Sequence, residues 1–159
     1  ETHRSHHMVL LDTRRDAWDR RAFEMGVSVA ASLAVAGSGE ARTVSMHTSD
    51  EWIPTASPVA MLDALSEMEV SVRRDFEAVV RRCVMERGAI SALSIVVGEG
   101  TSDDEASRLA NIAPIDVAVS VIRVVPGSAR RRRRMSRGVI IDCPSLEDLP
   151  VLISRGVSL

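Results

Sequence analysis

The sequence predicts a doubly wound, mostly parallel α/β sheet, and three observations carry that prediction. Runs that are continuously or nearly continuously apolar recur at 8–11, 115–125 and 139–141, as strands buried on both faces require. Segments with helical spacing lie between such runs. The cleanest is 73–87, where Phe76, Val79, Val80, Cys83 and Val84 follow an i, i+3, i+4, i+7, i+8 pattern. The resulting order is strand, helix, strand, edge piece, two helices, strand, helix, strand, strand, helix, which is the alternation of a parallel sheet covered by helices.

Each element has its own justification. The first strand ends abruptly at Asp12. A helix over 17–37 opens with Asp19, Arg20, Arg21 and Glu24, then turns small and apolar through Val27, Val29, Ala30, Leu33 and Ala34, the composition of a buried helix. Gly37-Ser38-Gly39 is its stop. A second strand spans 42–47 with Val44 and Met46 on one face, and a short edge strand lies around Trp52. Ser57-Pro58 supplies an N-cap and a first-turn proline to a helix that turns Leu62 and Leu65 inward. In the 73–87 helix, Arg73–Glu77, Glu77–Arg81 and Arg82–Glu86 are spaced to pair at i, i+4, and Gly88 ends it. The strand 89–97 runs into Gly98-Glu99-Gly100. Ser102 and Glu105 form a capping box for a helix to about Asn111. After strand 115–125 comes an Arg-rich loop at 126–138, a last strand at 139–142, and a short helix within 145–154. Pro150 leaves the start of that helix open, because proline is tolerated only in a first turn.

With 159 residues the chain is long enough for one domain with a real core. Aromatics are only 3% and Tyr is absent, so the core is Val, Leu, Ile, Ala and Met. The chain lacks the aromatics that a stacking platform for single-stranded nucleic acid needs. All 20 basic residues are Arg, which rules out Schiff-base and P-loop lysine chemistry. Net charge is −2, but six Arg crowd into 130–137, leaving 14 basic against 22 acidic residues elsewhere. Cys83 and Cys143, far apart in apolar contexts, read as two lone buried thiols. There is no signal peptide and no run of eighteen apolar residues, so the chain as given reads as soluble. Residues 1–7, with His3, His6 and His7, read as a frayed or excised leader to a single domain at 8–159. The start at Glu1, without Met, reads as the cut end of an excised domain.

The chemistry concentrates behind the first strand. In open α/β sheets, ligands and partners dock at the carboxyl ends of strands, so Asp12, Thr13, Arg14 and Asp16 stand where a site belongs. Asp12-x-Arg14-x-Asp16 resembles the metal-binding Asp-x-Ser-x-Ser of von Willebrand factor A domains, which are Rossmann-like three-layer sandwiches. In that family the Asp and both hydroxyls reach a magnesium-type ion, directly or through water. A Thr from a second loop and an Asp after a later strand complete an oxygen set suited to a hard cation. On this resemblance Thr55 stands in for the loop Thr, and Glu99 for the later Asp. Arg14 contradicts the pattern, since a guanidinium cannot ligate a cation and repels it. We therefore expect a degenerate metal site. In it, Arg14 or its neighbour Arg15 supplies the positive charge and bridges Asp12 and Asp16. The alternatives are an Arg14 that points to solvent, and a site that keeps Mg or Mn on Asp12, Asp16 and Glu99.

Several stretches within 8–125 share a further resemblance: Val9-Leu10-Leu11-Asp12-Thr13-Arg14, Phe23-Glu24, Ser28-x-Ala30-Ala31-Ser32-Leu33, the helix at 62–65 and Ser94-Ile95-Val96-Val97. Together they resemble the von Willebrand factor A-like domain of a bacterial family, number fifty-eight among domains of unknown function. Members typically place hydrophobic membrane segments ahead of this domain and are often linked to MoxR-type AAA+ ATPases. The resemblance implies an interaction or chaperone-adaptor role, a MoxR-type ATPase as partner, and no catalytic residues to carry over. It also implies a cytoplasmic domain of a membrane-anchored parent protein, in contact with the membrane only through other segments of that parent.

Arg130, Arg131, Arg132, Arg133, Arg134 and Arg137 are the second notable feature. Five consecutive Arg repel one another and favour an exposed, mobile loop. Such a loop either neutralises the acidic remainder of the domain or binds anionic lipid or nucleic-acid phosphates. With a membrane-anchored parent, lipid fits better, and no nucleic-acid partner is expected. There is no Gly-rich phosphate loop and no Gly-x-Ser-x-Gly elbow. His47, with Asp50 nearby, is the one internal candidate for a general base. The sequence thus reads as a non-enzymatic, cofactor-free protein interaction domain acting through 12–16, 48–55 and 99–103.

Overall fold

Strand β1, Ser5–Leu11, lies inside the sheet between β2 (Arg42–His47) and β4 (Ala92–Gly98). The computed structural model describes residues 5–38, 42–87 and 89–157. Its remaining strands are β3 (Trp52–Ile53), β5 (Ala118–Val124), β6 (Arg131–Arg134) and β7 (Val139–Cys143). The order across the sheet is β3-β2-β1-β4-β5-β7-β6. The inner pairs are parallel, and the edge pairs β2–β3 and β6–β7 are antiparallel. Helices α1 (Arg20–Gly37), α2 (Pro58–Ser66), α3 (Phe76–Arg87), α4 (Asp103–Ala110) and α5 (Leu149–Val157) cover it. This is the expected α/β architecture, a mostly parallel sheet in a Rossmann-like three-layer sandwich.

The alternation within β1 explains why the run 8–11 had to be wholly apolar. Met8 and Leu10 join Phe76, Val79, Val80 and Leu109 of α3 and α4. Val9 and Leu11 join Val29 and Leu33 of α1, Met61 and Leu65 of α2, and Leu152 of α5. All four strand residues are completely buried, as in a sheet covered on both faces.

Several boundaries differ from expectation, each for a visible reason. The strand begins at Ser5, so residues 5–7 are ordered in the sheet. The polar tips of His6 and His7 are accommodated by serines on the flanking strands: each Nε2 lies 2.8 Å from a hydroxyl, Ser45 for His6 and Ser94 for His7. His3, Gly39 and Gly88 fall outside the described residues. Helix α1 starts at Arg20 because Arg15–Ala17 form a 3-10 turn and Trp18 is extended, leaving Asp19 to cap Ala22 N at 2.8 Å. Helix α3 starts at Phe76, with Asp75 accepting from Ala78 N at 3.1 Å. Glu77–Arg81 and Arg82–Glu86 pair within it, at 3.9 and 3.8 Å, whereas Arg73 precedes the helix and pairs with Asp50 at 3.2 Å. Met61 and Leu65 form the buried i, i+4 stripe of α2. Leu62 lies off that stripe and is half exposed. Pro150 falls in the first turn of α5.

The basic segment is also different from expectation. Residues 131–134 are strand β6, with Arg131 to Arg134 opposite Asp142 to Val139 of β7. An extended strand sends alternate side chains to opposite faces, which relieves the repulsion that argued for a mobile loop. Asp103 and Asp148 relieve it further, pairing with Arg133 at 2.9 Å and Arg130 at 3.5 Å. Cys83 and Cys143 are free and buried as expected, and burial pushes both thiols up to about 11. Among the described residues, no helix is long and apolar enough to cross a membrane.

Candidate functional site

The chain order reverses between β1 and β4: one crossover leads from β1 to β2 on one side, and β4 returns on the other. Crevices at the carboxyl ends of such strands are where doubly wound sheets hold ligands. Asp12 follows β1 directly and is anchored there by its own N–H, which donates to Val96 O of β4 at 2.9 Å. Gly98, at the end of β4, is required by close approach: a Cβ there would stand 2.0 Å from the carbonyl oxygen of Ala17. The two strand ends are thereby pressed against the turn that carries Arg14 to Ala17.

Arg14 turns back onto Asp12. Its backbone N–H donates to Asp12 Oδ1 at 2.9 Å, Nε reaches both carboxylate oxygens at 2.9 Å, and Nη2 reaches Oδ2 at 2.6 Å. Nη2 also donates to Glu105 Oε1 at 2.8 Å, and Nη1 to Arg74 O at 3.4 Å. The Phe76 ring lies under the guanidinium, 5.8 Å from centroid to Cζ, within cation–π range. Asp12 has no exposed surface and Arg14 is 17% exposed at the side chain. Burial raises the Asp12 pKa and Arg14 pulls against it without cancelling it. Burial also opposes the charge on Arg14, but hydrogen bonds and charge from Asp12 and Glu105 outweigh it and raise the Arg14 pKa. Charge-assisted, multidentate contacts of this kind are the strong ones.

Second-layer contacts fix the loop. Thr13 and Ser49 exchange hydrogen bonds: Thr13 N–H donates to Ser49 Oγ at 2.9 Å, and Ser49 N–H to Thr13 Oγ1 at 3.3 Å. Ser71 N–H donates to Thr13 O at 2.6 Å, Arg15 N–H donates to Ser71 O at 3.1 Å, and the Ser71 hydroxyl donates to Asp50 at 2.8 Å. Trp18 Nε1 donates to the Asp12 carbonyl at 2.6 Å.

The expected constellation is therefore only partly assembled. Asp12, Thr13 and Arg14 come together. Asp16 does not join them, because the 3-10 turn carries it to the exposed surface, and Arg15 is exposed as well. Glu99 is exposed on the turn after β4. Thr55 is carried away by the antiparallel β3, which doubles back along β2, and its hydroxyl donates to Val44 O at 2.8 Å. Val44 lies opposite His7, five residues ahead of Asp12. At roughly 3.3 Å per residue, that is about 16 Å along the strand. Among the described residues, no group of three His, Cys, Asp or Glu could hold a metal ion. The cation position facing Asp12 is filled by Arg14. Arg137, expected in an anion-binding loop, instead donates to the carbonyls of Ala113, Pro114 and Val117 at 3.0, 2.8 and 3.5 Å. His47 is buried, and its Nδ1 bonds the carbonyl of Thr48 rather than Asp50.

Sequence reasoning gave Glu105 only as a capping partner of Ser102, placed Ser49 only within the segment 48–55, and missed Ser71. Glu105 N–H does donate to the Ser102 hydroxyl at 3.1 Å, but its carboxylate, in the first turn of α4 at the reversal in strand order, turns to Arg14. It also missed a cleft of about 710 Å³ beside the loop, lined by Arg15, Trp18, Phe23, Val27, Leu65 and Met68 among others. The fold and this loop define a Rossmann-like α/β domain with an arginine-filled crevice. No family model matches the chain, and no curated protein matches it.

Proposed function

We propose that the chain is a non-enzymatic protein–protein interaction domain, von Willebrand factor A-like in kind, with a degenerate metal site. The observation that carries this reading is the Arg14 guanidinium closed over Asp12 and tied on its far side to Glu105. In a metal-dependent domain of that kind, an ion holds the loop and captures a partner's carboxylate. Here a fixed side-chain cation holds the loop, and the arrangement needs no ion to be complete. Around it stand exposed Arg15, Asp16, Asp50, Arg73, Glu99 and Asp104, a mixed polar rim. The cleft bearing Trp18, Phe23 and Met68 opens beside them, which suits an apolar anchor from a partner. From the family resemblance, the partner is a MoxR-type AAA+ ATPase, and the domain is the cytoplasmic part of a membrane-anchored protein.

Binding to a MoxR-type ATPase from the same source, measured with and without a strong chelator, tests the reading. Equal binding in the two conditions, weakened by charge reversal at Arg15 and Asp16, is expected. Binding abolished by chelator would favour the cation-dependent alternative, and absence of binding would remove the proposed partner.

A further inference from the structure

The outer edge of the sheet beyond β7 is β6, four consecutive arginines. We propose that this edge is a docking site for an acidic, extended segment of a partner protein, which adds to the sheet as a further strand. The proposal does not depend on the reading of the Asp12–Arg14 crevice, from which β6 is separated by β4, β5 and β7.

Alternate main-chain groups of β6 point away from the sheet. Met135 N–H donates to Gly138 O at 3.0 Å, in the same register that sets Arg133 opposite Ile140 and Arg131 opposite Asp142. Opposed residues in an antiparallel pair alternate between hydrogen-bonded and non-hydrogen-bonded kinds. The pairs at Arg133 and Arg131 are therefore of the bonded kind. Arg132 and Arg134 turn their N–H and C=O groups away from β7, towards the open edge. An extended peptide meets there the donors and acceptors that strand addition uses.

The side chains of the same residues carry unpaired positive charge. Arg133 is held by Asp103 and Arg130 by Asp148. Among the described residues, Arg131, Arg132 and Arg134 have no ion pair. Arg131 and Arg134 are exposed, and Arg132 is partly exposed, with its Nε and Nη2 covered by the protein, as is the Nε of Arg133. Unpaired guanidinium groups along a sheet edge match carboxylates in charge and in fork geometry. Arg132 and Arg134 lie opposite Ile141 and Val139, on one face of the sheet. They are two residues apart, so acidic side chains at i and i+2 of an incoming strand fall in step with them.

The surroundings favour a peptide over a polyanion. Asp103, Asp142 and Asp148 are interspersed with the arginines, so the surface lacks the unbroken positive field that nucleic acid or an anionic membrane selects. A strand that brings its own hydrogen-bonding backbone gains from the edge what a phosphate chain cannot.

The test uses the whole chain and a labelled peptide, acetyl-Val-Glu-Val-Glu-Val-Glu-Val-amide. Five controls accompany it: two analogues N-methylated at every second residue in opposite phases, its Lys-for-Glu analogue, single-stranded RNA, and phosphatidylserine vesicles. Anisotropy reads binding, and amide hydrogen exchange reads the edge. We expect the Glu peptide to bind and to slow exchange at the Arg132 and Arg134 amides. One N-methyl phase should bind about tenfold more weakly, the scale of one or two net hydrogen bonds. The Lys analogue should not bind. Arg132→Ser with Arg134→Ser should weaken the Glu peptide by a similar factor, with unchanged exchange protection in β7 as proof of folding. The proposal fails if the Glu peptide does not bind, if both methylated analogues bind as well as the parent, or if RNA or vesicles bind more tightly with no peptide-induced protection. Failure in the first way would leave the arginines as a guard against edge-to-edge association.

Discussion

Arg14 and Asp12 are coupled so closely that neither can be replaced alone without consequence. Removing the carboxylate leaves a largely buried guanidinium with Glu105 as its one remaining carboxylate partner, and breaking a buried pair from one side costs about 3 kcal/mol or more. Asp12→Ala should therefore lower the unfolding free energy by about that amount in urea titrations. Arg14→Met leaves the opposite problem, a carboxyl whose pKa burial already raises and which now has no cation to oppose that rise. A carboxyl raised in the folded state is protonated there before it is in the unfolded chain, so its penalty fades as pH falls. The stability deficit of Arg14→Met relative to the parent chain should shrink on acidification; a constant deficit would argue against a buried, ionised Asp12. At this scale the sequence was informative where the chemistry was local. The pairing of Arg14 with a strand-end Asp two residues away was one of the arrangements expected there, alongside an Arg14 that points to solvent. The choice of Glu105 over Asp16 as second partner was hidden, because it depends on a 3-10 turn that no pattern announced and on a residue 91 positions away.

Among the elements, the junction of β1, β4 and the Arg15–Ala17 turn is the tightest. Gly98→Ala would drive a methyl group into the backbone oxygen of Ala17, which the Gly100 N–H also uses at 3.3 Å. Backbone cannot swing aside as a flexible side chain does, so we expect a loss of about 3 kcal/mol or more, read as a fall in Tm. Little change in Tm would mean that the crevice is less tightly closed than described. The elements that were legible are those whose burial wrote a period into the sequence: α3 through its five-residue stripe, and β1 and β7 through the unbroken apolar runs 8–11 and 139–141. The elements that were not legible are those made of polar residues. β6 contains only Arg, and the start of β1 is Ser5-His6-His7, so hydropathy carried no strand signal for either. Their register comes from neighbouring strands, which a reading of local pattern does not contain.

For the whole molecule, the order of elements was enough to give a mostly parallel three-layer sheet, because alternating strands and helices have few right-handed solutions. The edges were harder to read, since antiparallel β3 and β6 depend on hairpin geometry, and it was β3 that carried Thr55 away from the site. The fold also sets a global pH response. Burial lowers the pKa of His6, His7 and His47 below 6.5. The unfolded chain therefore takes up these protons first, and the stability they contribute is present above pH 6.5 and lost as pH falls below it. Asp103, held down to about 2 chiefly by the Arg133 hydrogen bonds, stays charged through that window. Its own contribution is present above its ordinary 3.8 and fades as pH drops towards 2. Tm should decline as pH falls below 6.5, with a further acid phase below pH 4; a Tm rising on acidification through 6.5 would contradict histidines held neutral by burial. In the function we propose, the Arg14 side chain stands where a related domain holds a metal ion. Calorimetric titration of Mg and Mn into the parent chain, with melts in chelator alongside, tests this. On this reading no binding heat and no chelator effect are expected for the parent chain. A clear isotherm and a metal-dependent rise in Tm for the parent would contradict it, since a cation could then reach Asp12 only by displacing Arg14.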